Sequence, residues 1–264
     1  MKIIRLLSTL SLATMVSLFS CQKEEEQVAT SDSVSEETLS KIHKIGFSTQ
    51  NVQRIDEGYL IEGDIVLTEA DLNTTPDITL LRAGTEEQYR TTNLVKSLPR
   101  NITVSISSKL PSSYVKALDE ALARYNAQNL TITFTQVSSG ANISIVSAGG
   151  NFLASAGFPT SGGAPYGQIK VNSRAIGNQP QSTVATILAH ELGHCIGFRH
   201  TDYMNRSYSC GGQAVNEGAS SVGAIQIPGT PSGPDAGSWM LSCIGSGQNR
   251  PFNNNDRTAL NYLY

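Results

Sequence analysis

The middle of the chain contains short runs in which hydrophobic and polar residues alternate with a period of two. The first run, NITVSIS, places Ile102, Val104 and Ile106 on one face, which is typical of a strand with one buried side. The stretch after it repeats hydrophobic residues at helical spacing and predicts a helix that lies on the sheet. In order, the predicted elements are NITVSIS, the helix PSSYVKALDEALARYNAQ, and the strands LTITFTQV, ANISIVSA and QIKVNS. This order predicts an α+β or α/β layer.

A second amphipathic helix is predicted over STVATILAHELGHCIG, with Ser182 or Thr183 as its N-cap and Gly197 at its end. From there to residue 252 the chain is rich in Gly, Ser, Pro and Asn, which predicts long ordered loops. The closing NNNDRTALNYLY predicts a short terminal helix. Nearer the start, GYLIEGDIVLT (58–68) predicts one strand within an otherwise mixed region, 41–95.

The first twenty residues combine a basic start, MKIIR, with an apolar run, which is typical of a secretory signal. The following SLFSC resembles the lipobox of bacterial lipoproteins, and this resemblance implies that Cys21 is lipidated; an ordinary cleaved signal is the alternative. Residues 21–40 contain few bulky apolar side chains and predict a flexible tether. We therefore expect an exported protein with a lipid anchor in the bacterial outer membrane. The acidic start of the tether, QKEEEQ, resembles an export signal to the outer face of that membrane, and a solvated run of charges is an equally good interpretation.

The overall charge and composition narrow the choice of partners. The chain is 39% hydrophobic and 16% charged, an ordinary balance for a globular protein, and its formal net charge is −3. Such a charge gives no reason to expect binding to nucleic acid. We expect a monomer.

The strongest chemical signal is HELGHCIGFRH, residues 190–200, which matches HExxHxxGxxH at every specified position. His190 and His194 lie one helical turn apart on one face and can share a metal ion. Glu191 points about 100° around the helix, outside the coordination shell but within reach of a water on the metal. Gly197 can adopt positive φ and turn the chain back, so that His200 becomes the third ligand. The motif predicts one Zn²⁺ with three histidines and an open fourth position.

This extended motif resembles the metzincin clan of zinc endopeptidases. Together with the leader it looks most like the bacterial dual-action HEIGH metallopeptidases, with Leu192 where the family name has isoleucine. The resemblance covers roughly residues 95–264. It implies a twisted, mostly parallel sheet with two helices and an irregular C-terminal subdomain that ends in a helix. It also implies a methionine turn beneath the metal, for which SWMLSC offers Met240.

Two features depart from the clan's pattern. About forty residues separate His200 from Met240, a longer spacer than in the compact metzincins. Ser242 stands where astacins have a tyrosine next to the metal, so the residue that would stabilise an oxyanion is unassigned, with Tyr203 and Tyr166 as candidates.

We expect a zinc-dependent endopeptidase in which Glu191 is the general base for a water activated by the metal. Two alternatives remain: a zinc hydrolase of a non-protein amide, and a surface lipoprotein whose zinc is only structural. Protein or peptide substrates would pair with an antiparallel edge strand predicted in NFLASAGFP, for which an ordinary loop is the alternative. Asp202 and Tyr203 are candidates for orienting a ligand, although an exposed loop acid is an equally good interpretation of Asp202.

The remaining cysteines and the domain boundaries complete the predictions. Once Cys21 is lipidated, Cys195, Cys210 and Cys243 are left, and we expect one disulfide without choosing among the three pairings. The predicted parts are a signal peptide (1–20), a tether (21–40), an N-terminal or pro-segment (41–95) and a catalytic domain (96–264).

Overall fold

The computed structural model describes residues 34–73, 88–212, 224–231 and 234–264. The predicted signal peptide, Cys21 and most of the predicted tether lie outside these residues. The elements are, in chain order, α1 (Glu36–Lys44), β1 (Gln53–Ile55), β2 (Gly58–Ile61), β3 (Ile65–Leu67), α2 (Glu69–Leu72), β4 (Tyr89–Arg90), β5 (Arg100–Ile106), α3 (Ser112–Asn126), β6 (Ile132–Gln136), β7 (Ile143–Ser147), β8 (Ala154–Ser155), β9 (Gln168–Val171), α4 (Ser173–Ile176), α5 (Gln181–Ile196), α6 (Ser207–Cys210), β10 (Ile225–Gln226) and α7 (Asn254–Leu263).

The main sheet has five strands in the order β6-β5-β7-β9-β8. Strands β6, β5, β7 and β9 are parallel, whereas β8 pairs antiparallel with β9 at the edge. Ile102 and Val104 of β5 are completely buried, as their alternation with polar residues predicts. The expectation of a mixed α/β fold with a mostly parallel sheet is therefore confirmed.

Two long helices cover this sheet and carry the core. Helix α3 buries one stripe that includes Leu118 and Tyr125, and α5 is buried from Thr183 to Ile196. Our N-cap prediction for α5 is wrong, because the helix begins at Gln181 after Pro180, which caps it without a side-chain hydrogen bond. The predicted end is correct: Gly197 adopts φ 111°, which a glycine reaches without steric cost.

The C-terminal part is mostly loops with three short elements. Strand β10 pairs with β4, and α6 brings Cys210 to Cys243, with which it forms a disulfide. Cys195 is buried and free, so the structure selects one of the three pairings that the sequence left open. Helix α7 is present as predicted, with Asn253 and Asp256 forming a capping box at its start.

The N-terminal part differs from the prediction in two places. Residues 36–40, assigned to the tether, form half of α1, because Ser35 caps the helix and Ile42 is buried beneath it. Residues 58–68 form the two antiparallel strands β2 and β3 rather than one strand. Glu62 and Gly63 adopt positive φ, and this tight turn reverses the chain.

The hydrophobic side chains of this part form a small cluster of their own, separate from the core of the main sheet. Whether a domain boundary falls near residue 95 stays a prediction. No helix in the described part of the chain is long and apolar enough to cross a membrane.

Candidate metal centre

The three histidines of the motif converge at the C-terminal end of α5. The ring centroids of His190 and His194 lie 4.7 Å apart, and the ring of His200 is 5.2 Å from the first and 4.9 Å from the second. One nitrogen of each ring, together with a carboxylate oxygen of Asp64, falls in a group whose atoms all lie within 4.8 Å of one another. The sequence therefore predicted correctly that these three side chains meet.

Each imidazole is oriented by a hydrogen bond from its Nδ1 atom. His190 donates to the carbonyl oxygen of Trp239 at 2.9 Å, and His194 donates to that of Phe198 at 2.8 Å. His200 donates to the Glu62 carboxylate at 3.3 Å. Because each Nδ1 atom is engaged in this way, the three Nε2 atoms face the cluster: those of His190 and His194 make no hydrogen bond, and that of His200 lies 3.1 Å from Asp64. Metal-binding histidines are usually held by such a bond from Nδ1.

The fourth member of the cluster, Asp64, was not predicted. Its Oδ2 atom lies 3.1 Å from Nε2 of His200 and 3.4 Å from Nε2 of His190. Four ligands at about 2.0 to 2.1 Å from a tetrahedral zinc stand about 3.3 Å from one another. The two distances from Asp64 are close to this value, so its carboxylate is placed to share one ion with His190 and His200.

Buried polar atoms without partners support the same interpretation. Among the described residues, Nε2 of His190, Nε2 of His194 and Oδ1 of Asp64 are buried and make no hydrogen bond. Unsatisfied buried polar groups are rare in proteins and call for an explanation. A metal ion coordinated by the two Nε2 atoms would explain why those atoms lack a hydrogen-bond partner.

Asp64 reaches the site because the turn between β2 and β3 lies against the edge of the main sheet. The amide of Ala156 donates to the carbonyl oxygen of Asp64 at 3.0 Å, and the amide of Val66 donates to that of Ala156 at 2.7 Å. The predicted edge strand is therefore present, as β8, but the N-terminal segment already pairs with the chain immediately after it. This pairing is parallel, as the Ile65–Ala156 bridge shows.

Glu62, also missed by the sequence analysis, links the same turn to the third histidine. One of its oxygens accepts from His200, and the other accepts from the guanidinium of Arg199 at 3.1 Å. Both Glu62 and Arg199 are almost completely buried. Arg199 also donates to the carbonyl oxygen of Gly46 and stacks on Phe47 at 3.9 Å. The turn is thus held by a buried ion pair at the residue preceding His200.

Burial and neighbouring charges shift the pKa values at the site in opposite directions. Burial, reinforced by Asp64, raises the pKa of Glu191 well above its ordinary value. Burial alone would lower the pKa of His200, but the Asp64 and Glu62 carboxylates outweigh it and raise that pKa to about 9. Burial, helped by His190 and His200, holds the pKa of His194 well below its ordinary value. Without a metal, the site therefore keeps a proton on His200, which a bound cation would replace.

Glu191 lies next to the cluster without belonging to it. It is 2% exposed, and its Oε2 atom makes no hydrogen bond within the described part of the chain. It lines the same cavity as His190 and Asp64. A buried acid beside four donor atoms, itself outside the donor set, is available for proton transfer.

Met240 packs directly under the helix that carries the histidines. It is completely buried, and its Sδ atom would lie only 2.6 Å from a Cβ added at Gly193. The preceding Trp239 supplies the carbonyl oxygen that orients His190. The segment around Met240 therefore packs against α5 next to the histidines and fixes the orientation of the His190 ring.

The other candidate residues are placed away from the three imidazoles. Asp202 accepts from the amide and the hydroxyl of Ser242, at 2.9 and 2.8 Å, and so connects the loop after His200 to the loop after Met240. Tyr203 packs against Tyr89 and Arg199. Tyr166 packs beside Gly157, and burial raises its pKa. The imidazoles instead donate their orienting hydrogen bonds to Trp239, Phe198 and Glu62. A residue that would stabilise an oxyanion stays unassigned.

A mostly parallel sheet whose covering helix presents two histidines to a third, with a buried glutamate beside them, is the arrangement of a metallopeptidase. The family model for the dual-action HEIGH metallopeptidases matches residues 59–264. The chain belongs to this family, as its motif predicted. The matched region includes Glu62 and Asp64 as well as the histidines.

Two other comparisons were made. The solved structure of myroilysin is similar to this chain at 15% identity, with a TM-score of 0.41, over 65% of this chain and 82% of that chain. Among curated proteins, none matches the chain.

Proposed function

We propose that this metallopeptidase is a zinc-dependent endopeptidase that cleaves protein or peptide substrates. The observation that carries the proposal is the convergence of His190, His194 and His200, each with Nδ1 engaged and Nε2 available. Three imidazoles and a carboxylate form a donor set that suits Zn²⁺. Met240, packed against Gly193, would serve as the methionine turn of the site.

When bound, the zinc would polarise the peptide carbonyl and lower the pKa of water at the site. The protein's own contribution to proton transfer is Glu191. Its raised pKa suits a group that takes a proton from the attacking water and delivers it to the leaving amine. The three hydrogen bonds donated by the Nδ1 atoms fix the imidazoles in orientation with Nε2 toward the ion, which would replace the proton that His200 otherwise keeps.

We further infer that the described form is latent. Asp64 stands where water would have to enter, and the segment that contains it pairs next to the edge strand that would receive a substrate. Activity requires that the Asp64 side chain leave this position. Removal of the N-terminal segment or its displacement by substrate would both achieve this.

The rival interpretation is a structural zinc site, because structural sites also have four protein ligands. Glu191 argues against it. Glu191 lies outside the donor set, and its buried Oε2 atom makes no hydrogen bond within the described part of the chain. Burying such an acid lowers stability, and a purely structural metal site does not require it. Hydrolysis, by contrast, needs a base beside the metal.

The test compares four forms of the full mature chain: wild type, Asp64→Ala, Glu191→Gln and the double variant. Asp119→Ala, which changes an exposed acid on α3, is the matched control. We expect little cleavage of casein by the wild type, strong cleavage by Asp64→Ala, and none by either form that carries Glu191→Gln, with about one zinc per chain in all of them. Zinc-loaded Asp64→Ala protein that cleaves neither casein nor peptides would instead identify a structural site.

We also propose that the chain is exported and anchored as a monomer to the outer membrane through lipidated Cys21. The SLFSC sequence supports this proposal. Labelled palmitate should be incorporated into the wild type but not into Cys21→Ser; equal incorporation would contradict it.

A further inference from the structure

A cavity of about 190 Å³ runs from the metal centre along α5. At one end it is lined by Asp64, His190 and Glu191, and further along by Ile187 and Thr186. Because a helix rises about 1.5 Å per residue, Thr186 lies about 6 Å along the axis from His190. The cavity therefore leads from the reacting centre to a point one turn earlier on the same helix.

Arg250 stands at this far end. Its backbone amide donates to the hydroxyl of Thr186 at 3.0 Å, which fixes its position relative to the helix. Its guanidinium donates to the carbonyl oxygen of Cys243 at 2.8 Å and to the side chain of Gln248 at 3.0 Å. Both partners are neutral, and among the described residues no carboxylate forms an ion pair with Arg250. Burial lowers the pKa of Arg250, and the charge of Asp202, which acts on it without such contact, opposes this shift only in part. A guanidinium stays charged under all ordinary conditions.

A second guanidinium lines the same cavity. The Nε atom of Arg206 is buried and makes no hydrogen bond within the described part of the chain. Arg206 acts electrostatically on Glu62, which is already engaged by Arg199 and His200. Among the described residues, neither guanidinium that lines the cavity forms an ion pair.

Most of the remaining lining is apolar, namely Leu153, Ile187, Leu241 and Ile244, and the hydroxyl of Ser242, which also lines the cavity, already donates to Asp202. These apolar side chains can pack against the methylene groups of a substrate side chain, but they provide no hydrogen-bond donor or positive charge for a carboxylate. Glu191 and Asp64, at the metal end, would repel a negative group placed there. A substrate carboxylate is therefore favoured only at the Arg250 end.

We propose that this cavity receives the side chain next to the scissile bond and selects glutamate or aspartate, with Arg250 as the specificity-determining residue. This inference rests on the proposed peptidase function. A charge-assisted hydrogen bond in a partly buried site favours the acidic substrate over its neutral isostere by about tenfold or more.

The test uses two peptides that differ only in Glu or Gln immediately after the scissile bond. Both are acetylated and amidated, so that a side chain supplies the only carboxylate. With the full chain carrying Asp64→Ala, we expect kcat/KM to be at least about tenfold higher for the Glu peptide. Arg250→Gln should abolish this preference, Arg250→Lys should restore part of it, and Arg257→Gln, at an exposed position of α7, should leave it intact. If the chain with Arg250 in place gives equal kcat/KM values for the two peptides, the proposal is overturned, and no Arg250 variant is needed to decide it.

A binding measurement separates this proposal from the proposed function. Fluorescently labelled product peptides that begin with Glu or Gln are titrated into the Asp64→Ala chain and followed by polarisation. We expect about tenfold tighter binding of the Glu peptide, dependent on Arg250, even if no peptide is cleaved. If no peptide is cleaved but the Glu peptide still binds more tightly, the peptidase function alone is refuted. If peptides are cleaved or bound without a preference for Glu, the specificity alone is refuted.

Discussion

Gly193 lies between the two helical histidines and faces the loop that contains Trp239 and Met240. A Cβ atom at this position would stand 2.6 Å from Sδ of Met240 and 3.2 Å from Nε1 of Trp239. Favourable contacts between heavy atoms begin at about 3.5 Å. The Gly193→Ala substitution therefore requires the side chain of Met240 to move by about 1 Å and that of Trp239 by a few tenths of an ångström. Because both side chains are buried and closely packed, we expect the loop that carries them to move away from the helix as well.

The expected cost follows from two opposing effects. Overpacking of a buried site costs about 1 to 3 kcal/mol. Replacing a glycine inside a helix by alanine returns up to about 1 kcal/mol. The net loss of stability is therefore about 1 kcal/mol. The local effect is larger, because the displaced loop carries the carbonyl oxygen that holds His190 at 2.9 Å. Loss of such an orienting bond lowers metal affinity by about 10 to 100-fold.

Competition with a chromogenic chelator measures the zinc affinity, and urea unfolding measures the stability. Gly149→Ala is the matched control, because no atom lies within 4 Å of a Cβ built there. Shortening the neighbour in the double variant Gly193→Ala/Met240→Ala should recover zinc affinity. If Gly193→Ala binds zinc as tightly as the wild type, the loop around Met240 does not position His190.

Three further predictions follow from other contacts. Glu62→Gln keeps the size of the side chain but removes its charge, so zinc affinity should fall about 10 to 100-fold in the same competition assay; an unchanged affinity would refute the role of Glu62. Cys210→Ser should lower the free energy of unfolding by about 2 to 4 kcal/mol in urea titrations, whereas Cys195→Ser should not break any cross-link. Burial raises the pKa of Asp256 from 3.8 to about 7, so the folded state favours the protonated acid. Stability should therefore fall as pH rises from about 4 through 7, by about 1.4 kcal/mol per unit of pKa shift, and Asp256→Asn should flatten that profile.

Features that depend on local periodicity could be predicted from the sequence. The alternation in β5 and the helical spacing in α3 correctly indicated which faces are buried. For α5 the prediction of one buried face was wrong, because this helix is buried on all sides from Thr183 to Ile196. The metal-binding motif is also local, because two ligands share a helix and Gly197 returns the third. Such patterns are visible in one sequence because the residues that cooperate lie within a few turns of each other.

Features that depend on distant pairings could not be predicted. Asp64 and His200 are separated by 136 positions, and nothing in the spacing of either residue points to the other. The same holds for Cys210 and Cys243, for which three pairings were possible. The turn at Gly63 was missed for a different reason: hydrophobic residues on both sides of EGD continue one alternating pattern, which hides the reversal between β2 and β3.

The two acids of that turn contact opposite nitrogens of one imidazole, and this links assembly of the site to its latency. Glu62 accepts a hydrogen bond from Nδ1 of His200, whereas Asp64 faces Nε2, the nitrogen that we propose binds the metal. Withdrawing the whole turn would open the fourth position but would also remove the hydrogen bond that orients the third ligand. It would uncover Arg199 as well, a cation that is now completely buried. Movement of Asp64 alone would open the position and keep both contacts. Zinc affinity therefore distinguishes the two routes: it should remain high in Asp64→Ala and fall in Glu62→Gln, because only the second change weakens the support of His200.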